Sequence, residues 1–523
     1  MRKIFFIAAL AISASLMAQE SINWYSAIES NATTDGTTAV GSNTLGSISA
    51  YADGSVVAAG SFASCQLTPA AASFLGKSFT GAPYTVNMQT SNNNIWVSKV
   101  NKAGQAQWLL HSTRGNGEAI AIATPNGGAL VFATTGHTDE NAQADDKTLV
   151  LMNGTSELLS ITHTFVNKNV KYGALFAVAA DGNSVTCTGE LLNQGTTHDF
   201  TALNWSTDGS YYYLLVVIKK AVKFGETTLT PFTGGSLAVL KFDQSGALLG
   251  SVLTDQVAMT STTSNIACSS DKVYVGTVVA IDGLQSILMK TYSTDLTLLR
   301  NDTIMGAKEN NKNVVQVKRV YPSADGKALY VAGAVNGGLK MGADTLHNVS
   351  GKLIGFVIKY DFESKLMTKA YMYGNGANIS TITDMFAYKN ELYAYGYDWQ
   401  KKDGNGICMI QLDANLAAMD TTGLFLTSGS EATWNAVEAD GNIVFAANVA
   451  KGKELKFAAD NTKSVQTSTL SRILASVKLS DPVSTAIETV APAAVKAQKI
   501  IRNGQVLIIR DSKTYNTLGA RVE

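Results

Sequence analysis

Residues 95–136 have the sequence IWVSKVNKAGQAQWLLHSTRGNGEAIAIATPNGGALVFATTG, and this stretch contains both building blocks that recur along the chain. Short apolar runs meet at polar turns, first around Gly104 and then at the Asn-Gly pair 126–127. Two apolar runs joined by such a glycine turn are a strong local signal for a β-hairpin. The stretch therefore predicts two consecutive hairpins of different type.

The second hairpin of that stretch belongs to a first type that occurs seven times. Its copies are ISAYADGSVVAAG (48–60), AIATPNGGALVFA (121–133), ALNWSTDGSYYYLLV (202–216), IACSSDKVYVGTV (266–278), VYPSADGKALYVAGAV (320–335), MFAYKNELYAYGY (385–397) and NAVEADGNIVFAAN (435–448). From Asp53 to Asp440 there are 387 residues in six intervals, a mean period of about 64. This period exceeds the ~40–50 residues of common four-stranded repeats, so we expect the excess in loops.

A second hairpin type alternates with the first and has six complete copies. They are IWVSKVNKAGQAQWLL (95–110), LFAVAADGNSVTCTG (175–189), LAVLKFDQSGALLGSVL (237–253), ILMKTYSTDLTLLR (287–300), FVIKYDFESKLMTKAY (356–371) and CMIQLDANLAAMD (408–420). A seventh copy is split between the two ends of the chain. ILASVKLSDP (473–482) supplies its first strand, and SINWYSAIES (21–30) supplies the second, with Trp24 at the position of Trp108.

Two hairpins per repeat give four strands, which is the size of one blade of a β-propeller. A ring closed by strands from both ends explains the split repeat, because closure protects the sheet edges. The sequence therefore predicts an all-β fold, a β-propeller of seven four-stranded blades closed by N- and C-terminal strands, with a small C-terminal β tail. A two-sheet sandwich or a linear β-solenoid is the alternative, and six or eight blades are the neighbouring counts.

A short motif follows several first-type hairpins and leads into the next second-type hairpin. It occurs as VKFGETTLTPFTGG (222–235), LKMGADTLHNVSG (339–351) and, more loosely, LKFAADNTKSVQTS (455–468). The motif predicts a short extra β-excursion on one face, which together with residues 61–94 would form a rim or cap at one end of the ring.

The N-terminus has the pattern of a secretory signal peptide. Arg2 and Lys3 precede an apolar stretch, and a small-residue site predicts cleavage between Ala18 and Gln19. We therefore expect a signal peptide at 1–18, the propeller at 19–483, a linker at 484–498 and a tail at 499–523. The predicted location is outside the cytoplasm.

Composition limits the classes of partner. Lys and Arg together number 41, as do Asp and Glu, so no basic field exists to attract nucleic acid. No later stretch approaches the ~18 apolar residues of a membrane-spanning helix. The four cysteines (Cys65, Cys187, Cys268 and Cys408) lack metal-ligand spacing, and we expect buried thiols, although export would permit disulfides.

The alternating unit, best seen in 95–136, resembles the secreted bacterial β-propeller repeats of cell-surface proteins. The segment KIIRNGQVLIIRDSKTYNTLGARV (499–522) resembles the C-terminal sorting tail of proteins exported by the type IX secretion system of Bacteroidetes. In this resemblance Asn503-Gly504 forms the turn, and Tyr515 with Leu518-Gly519 forms the closing part. It implies passage through the periplasm, the secretion machinery as a partner, and a final place at the cell surface or outside the cell. The alternative is a terminal hairpin that packs on the propeller.

Motifs for chemistry are missing from the sequence. It has no HExxH, GxSxG, P-loop or EF-hand pattern, and no two of the five histidines lie within four residues of each other. The turns STDG (206–209) and SADG (323–326) lack the spacing of glycosidase Asp-boxes. We therefore predict no catalytic residue, no cofactor and no metal site, while ligands that converge from different blades stay open.

Aromatic residues suggest a binding surface in ELYAYGYDWQ (391–400). Alternation places Tyr393, Tyr395 and Tyr397 on one face of a strand, and Tyr397 with Trp399 at the strand end form the candidate ligand-binding pair. Packing between blades is the alternative for these rings. The sequence favours a non-catalytic propeller that binds a glycan, peptide or protein. A polysaccharide-active hydrolase or lyase, or a purely structural envelope component, is the rival interpretation.

Overall fold

The computed structural model describes most of the chain between residues 22 and 516, and all regular secondary structure in that described part is β-strand. The described residues are 22–27, 29–30, 44–63, 71–75, 77–80, 93–114, 117–137, 148–162, 170–193, 200–256, 264–341, 344–348, 350–374, 376, 378–398, 407–426, 433–449, 454–458, 464–466, 471–479, 498–502, 505–510 and 513–516. The chain divides into two compact units, Met1–Asp481 and Pro482–Glu523.

The strands of the first unit follow one another in chain order. Those of its first half are β1 (Ile22–Ala27), β2 (Glu29–Ser30), β3 (Thr44–Ala50), β4 (Val56–Ala63), β5 (Ala71–Phe74), β6 (Lys77–Thr80), β7 (Asn93–Val100), β8 (Ala106–Arg114), β9 (Gly117–Ala123), β10 (Ala129–His137), β11 (Thr148–Asn153), β12 (Ser156–Thr162), β13 (Val170–Val178), β14 (Val185–Asn193), β15 (Phe200–Thr207), β16 (Tyr212–Ile218), β17 (Val222–Phe224), β18 (Thr227–Leu229), β19 (Ser236–Phe242) and β20 (Leu248–Gln256). Those of its second half are β21 (Ser264–Cys268), β22 (Lys272–Ile281), β23 (Leu284–Ser293), β24 (Leu298–Ile304), β25 (Gly306–Ala307), β26 (Val314–Pro322), β27 (Ala328–Met341), β28 (Asp344–Asn348), β29 (Ile354–Asp361), β30 (Leu366–Tyr373), β31 (Ser380–Tyr388), β32 (Glu391–Asp398), β33 (Ile407–Leu412), β34 (Ala418–Leu426), β35 (Thr433–Glu438), β36 (Asn442–Val449), β37 (Glu454–Phe457), β38 (Ser464–Gln466) and β39 (Ser471–Lys478).

Each first-type hairpin supplies the first two strands of an antiparallel sheet, and each second-type hairpin supplies the other two. Numbered as blades 1 to 7, the sheets have the strand orders β3-β4-β7-β8, β9-β10-β13-β14, β15-β16-β19-β20, β21-β22-β23-β24, β26-β27-β29-β30, β31-β32-β33-β34 and β35-β36-β39-β1. The first strands contact one another in a closed ring that runs β3, β9, β15, β21, β26, β31, β35 and back to β3. The chain is a seven-bladed β-propeller, and the fold predicted from the hairpins is confirmed.

The two ends of the first unit close the ring by strand pairing. β1 pairs antiparallel with β39, so that Tyr25 lies opposite Ala475 and Ala27 lies opposite Ile473. The N-terminal strand is therefore the outer strand of blade 7, as the split repeat predicts.

The apolar core of the described residues consists of seven clusters, one between each pair of consecutive blades. Between blades 6 and 7, for example, Tyr395 and Phe445 are fully buried with their ring centroids 5.6 Å apart. Blade faces are apolar on both sides because each face packs on a neighbour. This arrangement explains why the strands appear as continuous apolar runs rather than as strict alternations.

The hairpin turns have the geometry that their residues predict. In blade 1, Gly54 has a φ of 77°, a left-handed conformation that glycine adopts without steric cost. The carboxylate of Asp53 accepts a hydrogen bond from the backbone N–H of Ser55 at 2.9 Å. Because the strands of a blade are antiparallel, all such turns lie at one face of the ring. The connections between second and third strands lie at the opposite face, which we call the connection face.

Among the described residues, five of the connections between second and third strands form extra hairpins: β5–β6, β11–β12, β17–β18, the end of β27 with β28, and β37–β38. The β5–β6 hairpin pairs with β2, which follows β1, and the β27–β28 hairpin pairs with β25, which follows β24. β11–β12, β17–β18 and β37–β38 each pair with the outer strand of the preceding blade, namely β8, β14 and β34. These hairpins therefore link neighbouring blades by backbone hydrogen bonds. The recurring motifs at 222–235, 339–351 and 455–468 supply three of the five, and residues 71–80 of the segment 61–94 supply another. The excursions form a rim at these junctions.

The second unit contains a three-stranded antiparallel sheet of β40 (Gln498–Arg502), β41 (Gln505–Arg510) and β42 (Lys513–Asn516). Gln498 pairs with Ile509 and Leu507 pairs with Asn516, so β41 is the central strand. This sheet is the small C-terminal β tail that the sequence predicts.

Candidate functional site

A cavity of about 330 Å³ lies on the axis of the propeller. Its lining comes from the first strand of every blade, near the end where those strands begin, and from β39 of blade 7. This end of the ring is the connection face. The polar and charged residues that carry the argument below are Glu118, Asn204, Asn265, Lys318, Asn435 and Arg472.

Several first strands carry a β-bulge at the level of this cavity. In the described pairing, one extra residue interrupts the register of five first strands: Gly46 in β3, Leu203 in β15, Lys318 in β26, Thr383 in β31 and one residue between Thr433 and Ala436 in β35. A bulge bends its strand and re-aims a side chain, and bulges are common beside functional sites. The bulge residues line the cavity, Asn435 being the one in β35 that does so.

Glycines on the second strands accommodate two of these bulges. A Cβ at Gly333 would overlap the carbonyl oxygen of Gln316, and a Cβ at Gly396 would lie 2.6 Å from the carbonyl oxygen of Thr381. Only glycine leaves room for the displaced backbone at such a close approach. The glycine that closes several first-type hairpins therefore marks the bulge that faces the cavity.

In the described part of the lining, two side chains are cationic and one is a carboxylate. The Arg472 guanidinium donates from Nε to Oδ1 of Asn448 at 3.0 Å and from Nη1 to the carbonyl oxygen of Leu45. Burial lowers the pKa of Arg472 to about 10, and the charge of Glu118 opposes this shift. Burial also lowers the pKa of the Lys318 ammonium group. Among the described lining residues, the formal charge is +1, from two cations and one anion.

Three asparagines add hydrogen-bonding groups. Oδ1 of Asn204 accepts from the backbone N–H of Trp205 at 2.9 Å, and Oδ1 of Asn265 accepts from the N–H of Val320 at 3.3 Å. Oδ1 of Asn435 is buried without a hydrogen-bond partner among the described residues. A buried polar atom of this kind favours a ligand or a water that donates to it.

A wider depression of about 610 Å³ opens near the hairpin turns of blades 1, 6 and 7. Tyr51, Tyr388, Lys389, Glu438 and Asp440 line it. Its charges already have neighbours on this face, since Lys102 pairs with Asp440 and Lys389 lies over the ring of Tyr388 at 5.3 Å. The described lining of this depression comes from three blades, whereas that of the axial cavity comes from all seven, so the axial cavity is the candidate site.

The aromatic residues singled out in the sequence differ in how deeply the structure buries them. Tyr393 and Tyr395 are buried, and the hydroxyl of Tyr395 donates to the carbonyl oxygen of Ala446 at 3.0 Å. Both rings therefore contribute to packing between blades 6 and 7. Tyr397 is half-buried at the end of β32, toward the connection face, and packs against the same cluster. Trp399 lies outside the described residues.

Most of the residues predicted for export and sorting also lie outside the described residues. These are Ala18, Gln19, Asn503, Gly504, Leu518 and Gly519. Tyr515 lies in β42, opposite Ile508 of β41.

Among the described residues, no group of three His, Cys, Asp or Glu side chains could hold a metal ion. His111 is buried, which lowers the pKa of its imidazole, and Nδ1 of His347 lies 2.6 Å from Oε1 of Glu309. Cys408 is buried, Cys187 and Cys268 are half-buried, and these three form no disulfide among the described residues. Cys65 is outside the described residues. Nor does this part of the chain contain a helix with the length and hydropathy that crossing a membrane requires.

No protein-family model matches the sequence, and no curated protein matches it. Among solved structures, the β-propeller domain of the Trilobed protease from Pyrococcus furiosus matches with a TM-score of 0.40 and 9% identity, over 83% of this chain and 96% of that one. A neuraminidase-like protein from A/bat/Guatemala/164/2009 matches with a TM-score of 0.32 and 8% identity, over 89% and 96%. Pyrococcus horikoshii acylaminoacyl peptidase matches with a TM-score of 0.33 and 9% identity, over 66% of this chain and 51% of the peptidase. The present chain thus spans about half the length of that peptidase. The activities in the names of these proteins belong to those proteins and are not carried over to this chain.

The cavity residues were not predicted from the sequence, although one signal for them exists. The glycines at the ends of first-type hairpins, such as Gly333 and Gly396, lie opposite bulges, so the bulge residue could have been sought on the preceding strand. The candidate pair Tyr397 and Trp399 came from aromatic content instead, which does not distinguish a binding surface from packing between blades.

Proposed function

We propose that this protein is exported and binds a glycan in its axial cavity without changing it chemically. The observation that carries the proposal is the convergence of polar residues from all around the ring, several of them directed by bulges, on one small cavity. Ligand sites of this kind combine a preformed concave surface with a few placed polar groups. Amide and hydroxyl side chains in that setting match the hydroxyl groups of a sugar.

The arrangement of acids supports binding over hydrolysis. Glycoside hydrolysis by the common routes needs two carboxyl groups beside the bond that breaks. Among the described lining residues, Glu118 is the one carboxylate. Another carboxylate of the strand ring, that of Asp384, follows the bulge residue Thr383 and pairs with Arg319 at 3.0 Å, so its charge serves the packing of the blades.

The test is a glycan-array screen of the mature chain, residues 19–523, together with a product assay on the glycans retained. We expect retention without cleavage. A Thr383→Trp variant should lose retention, because its bulge position would put the indole into the cavity, whereas Thr383→Ser should keep it. Cleavage of a retained glycan would replace the proposal with a polysaccharide-active enzyme, and retention of peptides or proteins alone would contradict the glycan assignment.

Export is the second part of the proposal, with the cell surface or the medium as the destination. It is supported by the signal-peptide pattern at 1–18 and by the resemblance of residues 499–523 to a sorting tail. The division of the chain at Asp481 also gives the tail a unit of its own, which fits a segment that engages the secretion machinery separately from the propeller.

Deletion of residues 499–523 tests this part in the native host. The truncated protein should fold, keep its glycan retention and accumulate in the periplasm. Its undiminished appearance at the cell surface or in the medium would contradict a sorting role for the tail. Binding and export are measured separately, so failure of one leaves the other intact.

A further inference from the structure

We propose that the axial cavity selects a ligand with a carboxylate group, and that this ligand is a small acidic sugar of the hexuronate class. This inference rests on the proposed glycan-binding function and names its substrate class. It is carried by the placement of Lys318 and Arg472, by the charge balance of the cavity, and by the hydrogen-bonding groups around it.

Lys318 lines the cavity because it is the extra residue of the bulge in β26. Its neighbours Val317 and Arg319 keep regular pairing with Gly333 and Ala332 of β27. Val317 is buried in the core between blades 4 and 5, while Arg319 pairs with Asp384. The bulge thus places the side chains of these two neighbouring cations differently. Arg319 forms a structural ion pair, and Lys318 lines the cavity.

Arg472 reaches the same cavity from β39, and two contacts fix its orientation. Nε donates to Oδ1 of Asn448, and Nη1 donates to the carbonyl oxygen of Leu45, which belongs to blade 1. A guanidinium held in this way loses little side-chain entropy when it binds a further acceptor. The described lining carries two cations, Lys318 and Arg472, and one carboxylate, Glu118, so its formal charge favours an anionic ligand.

The remaining polar groups suit a hydroxylated molecule. The buried Oδ1 of Asn435 has no donor among the described residues, and a sugar hydroxyl would supply one. Thr201, Ser264 and Asn265 provide further hydroxyl and amide groups on the lining. A volume of about 330 Å³ is at the small end of ligand pockets, roughly 300–1,000 Å³, which favours a single sugar ring or the end of a chain over a long stretch of polymer.

The experiment is isothermal titration calorimetry of the mature chain with D-glucuronate, D-glucose and N-acetylalanine. Glucose matches the ring without the charge, and N-acetylalanine carries the carboxylate without the sugar. We expect glucuronate to bind at least tenfold more tightly than either. Lys318→Met should weaken glucuronate binding at least tenfold, Lys318→Arg should recover part of the loss, and Lys389→Met at the opposite face should have no effect.

Each contrary outcome has a distinct meaning. Equal binding of glucose and glucuronate would overturn the carboxylate preference while leaving glycan binding intact. Tighter binding of N-acetylalanine would overturn the assignment to a sugar. If glucuronate does not bind while neutral glycans are retained on the array, the inference is wrong and the proposed function stands. If nothing is retained on the array, the proposed function itself fails.

Discussion

The indole ring of Trp24 lies directly over the α-carbon of Gly104, so closely that a Cβ at Gly104 would overlap the ring. Trp24 belongs to the outer strand of blade 7, and Gly104 belongs to the turn before the outer strand of blade 1. The same relationship joins Trp108 of blade 1 to Gly182 of blade 2. The junction that closes the ring is therefore built like an ordinary junction between blades, although its two halves come from opposite ends of the unit.

Replacing Gly104 with alanine should destabilise the propeller by about 3 kcal/mol, because two costs add. The φ of 78° costs an L-residue ~1–2 kcal/mol, and overlap with a packed ring costs another ~1–3 kcal/mol. Gly209→Ala is the matched control, since Gly209 has a φ of 92° with nothing within 4 Å of an added Cβ. It should lose about 1 kcal/mol in urea denaturation. Equal losses in the two variants would show that Trp24 does not restrict the turn.

Removing β1 should convert a closed ring into a self-associating one. A chain that begins at residue 28 leaves the apolar strand β39 as an open edge, and such edges pair with other chains. We expect dimers or larger species by size-exclusion chromatography with light scattering. A synthetic peptide SINWYSAIES (21–30) should restore the monomer by occupying the edge, whereas a scrambled peptide should not. A monomeric truncated protein without peptide would contradict the need for closure.

The sequence was sufficient for the fold because the fold depends on local signals. Turn glycines such as Gly54 and apolar runs define each hairpin, and the repeat along the chain counts the blades. The split repeat also predicted the pairing of β1 with β39. These features need no knowledge of which side chains meet across the ring.

The candidate site required the structure because it depends on contacts between distant repeats. Lys318 and Arg472 are 154 positions apart in the sequence, and nothing in the sequence around either residue distinguishes it from the exposed cations of the chain. The one-residue bulge directs Lys318 to the cavity. Such a bulge turns a side chain toward the other face of the sheet, and the amino-acid composition of the strand gives no sign of it. Aromatic content was a poor guide to the site because rings such as Tyr395 fill the spaces between blades.

The Arg319–Asp384 pair provides a test of the packing between blades 5, 6 and 7. Asp384 is 5% exposed and also accepts the backbone N–H groups of Ala436 and Met385, at 3.0 and 2.8 Å. Arg319→Met should cost about 3 kcal/mol at neutral pH, because it leaves a buried carboxylate without its counter-charge. Adding Asp384→Asn should recover part of this loss, because it removes the buried charge, but its one amide oxygen replaces only one of the two carboxylate oxygens that accept these N–H groups.

The loss in Arg319→Met should also depend on pH. Burial raises the pKa of Asp384 above its ordinary value, and the charge of Arg319 opposes this rise. Without the arginine the folded-state pKa should rise further above the unfolded-state value. The folded protein then takes up a proton that the unfolded chain does not hold, so stability increases as pH falls through the folded-state pKa. Urea denaturation at pH 5 and pH 7.5 should show a smaller deficit at pH 5, and the double variant should lack this dependence. A deficit equal at both pH values would contradict the role of the carboxylate charge.

Phe224 tests whether the extra hairpins link neighbouring blades. Its ring is 3% exposed, lies against Gly189 of β14, and has its centroid 5.6 Å from that of Phe242. Phe224→Ala should lower the free energy of unfolding by about 3 kcal/mol and speed proteolysis within residues 219–235. Phe232→Ala, in the same connection but 53% exposed, should change neither. Loss of stability without faster local cleavage would mean that Phe224 supports the core alone.

Lys318 should be a residue that the propeller would be more stable without. Its pKa is lowered by burial, so the folded environment disfavours the charged form that dominates at neutral pH. Lys318→Met keeps the length of the side chain and removes the buried charge. We therefore expect a higher urea midpoint at pH 7 with an unchanged m-value, alongside the loss of glucuronate affinity.

The control is Lys389→Met, which removes a cation at the opposite face and should leave the midpoint unchanged. Retaining an unfavourable charge where binding requires it is the usual compromise between stability and function. A lower midpoint in Lys318→Met would instead assign the lysine to the structural support of the ring.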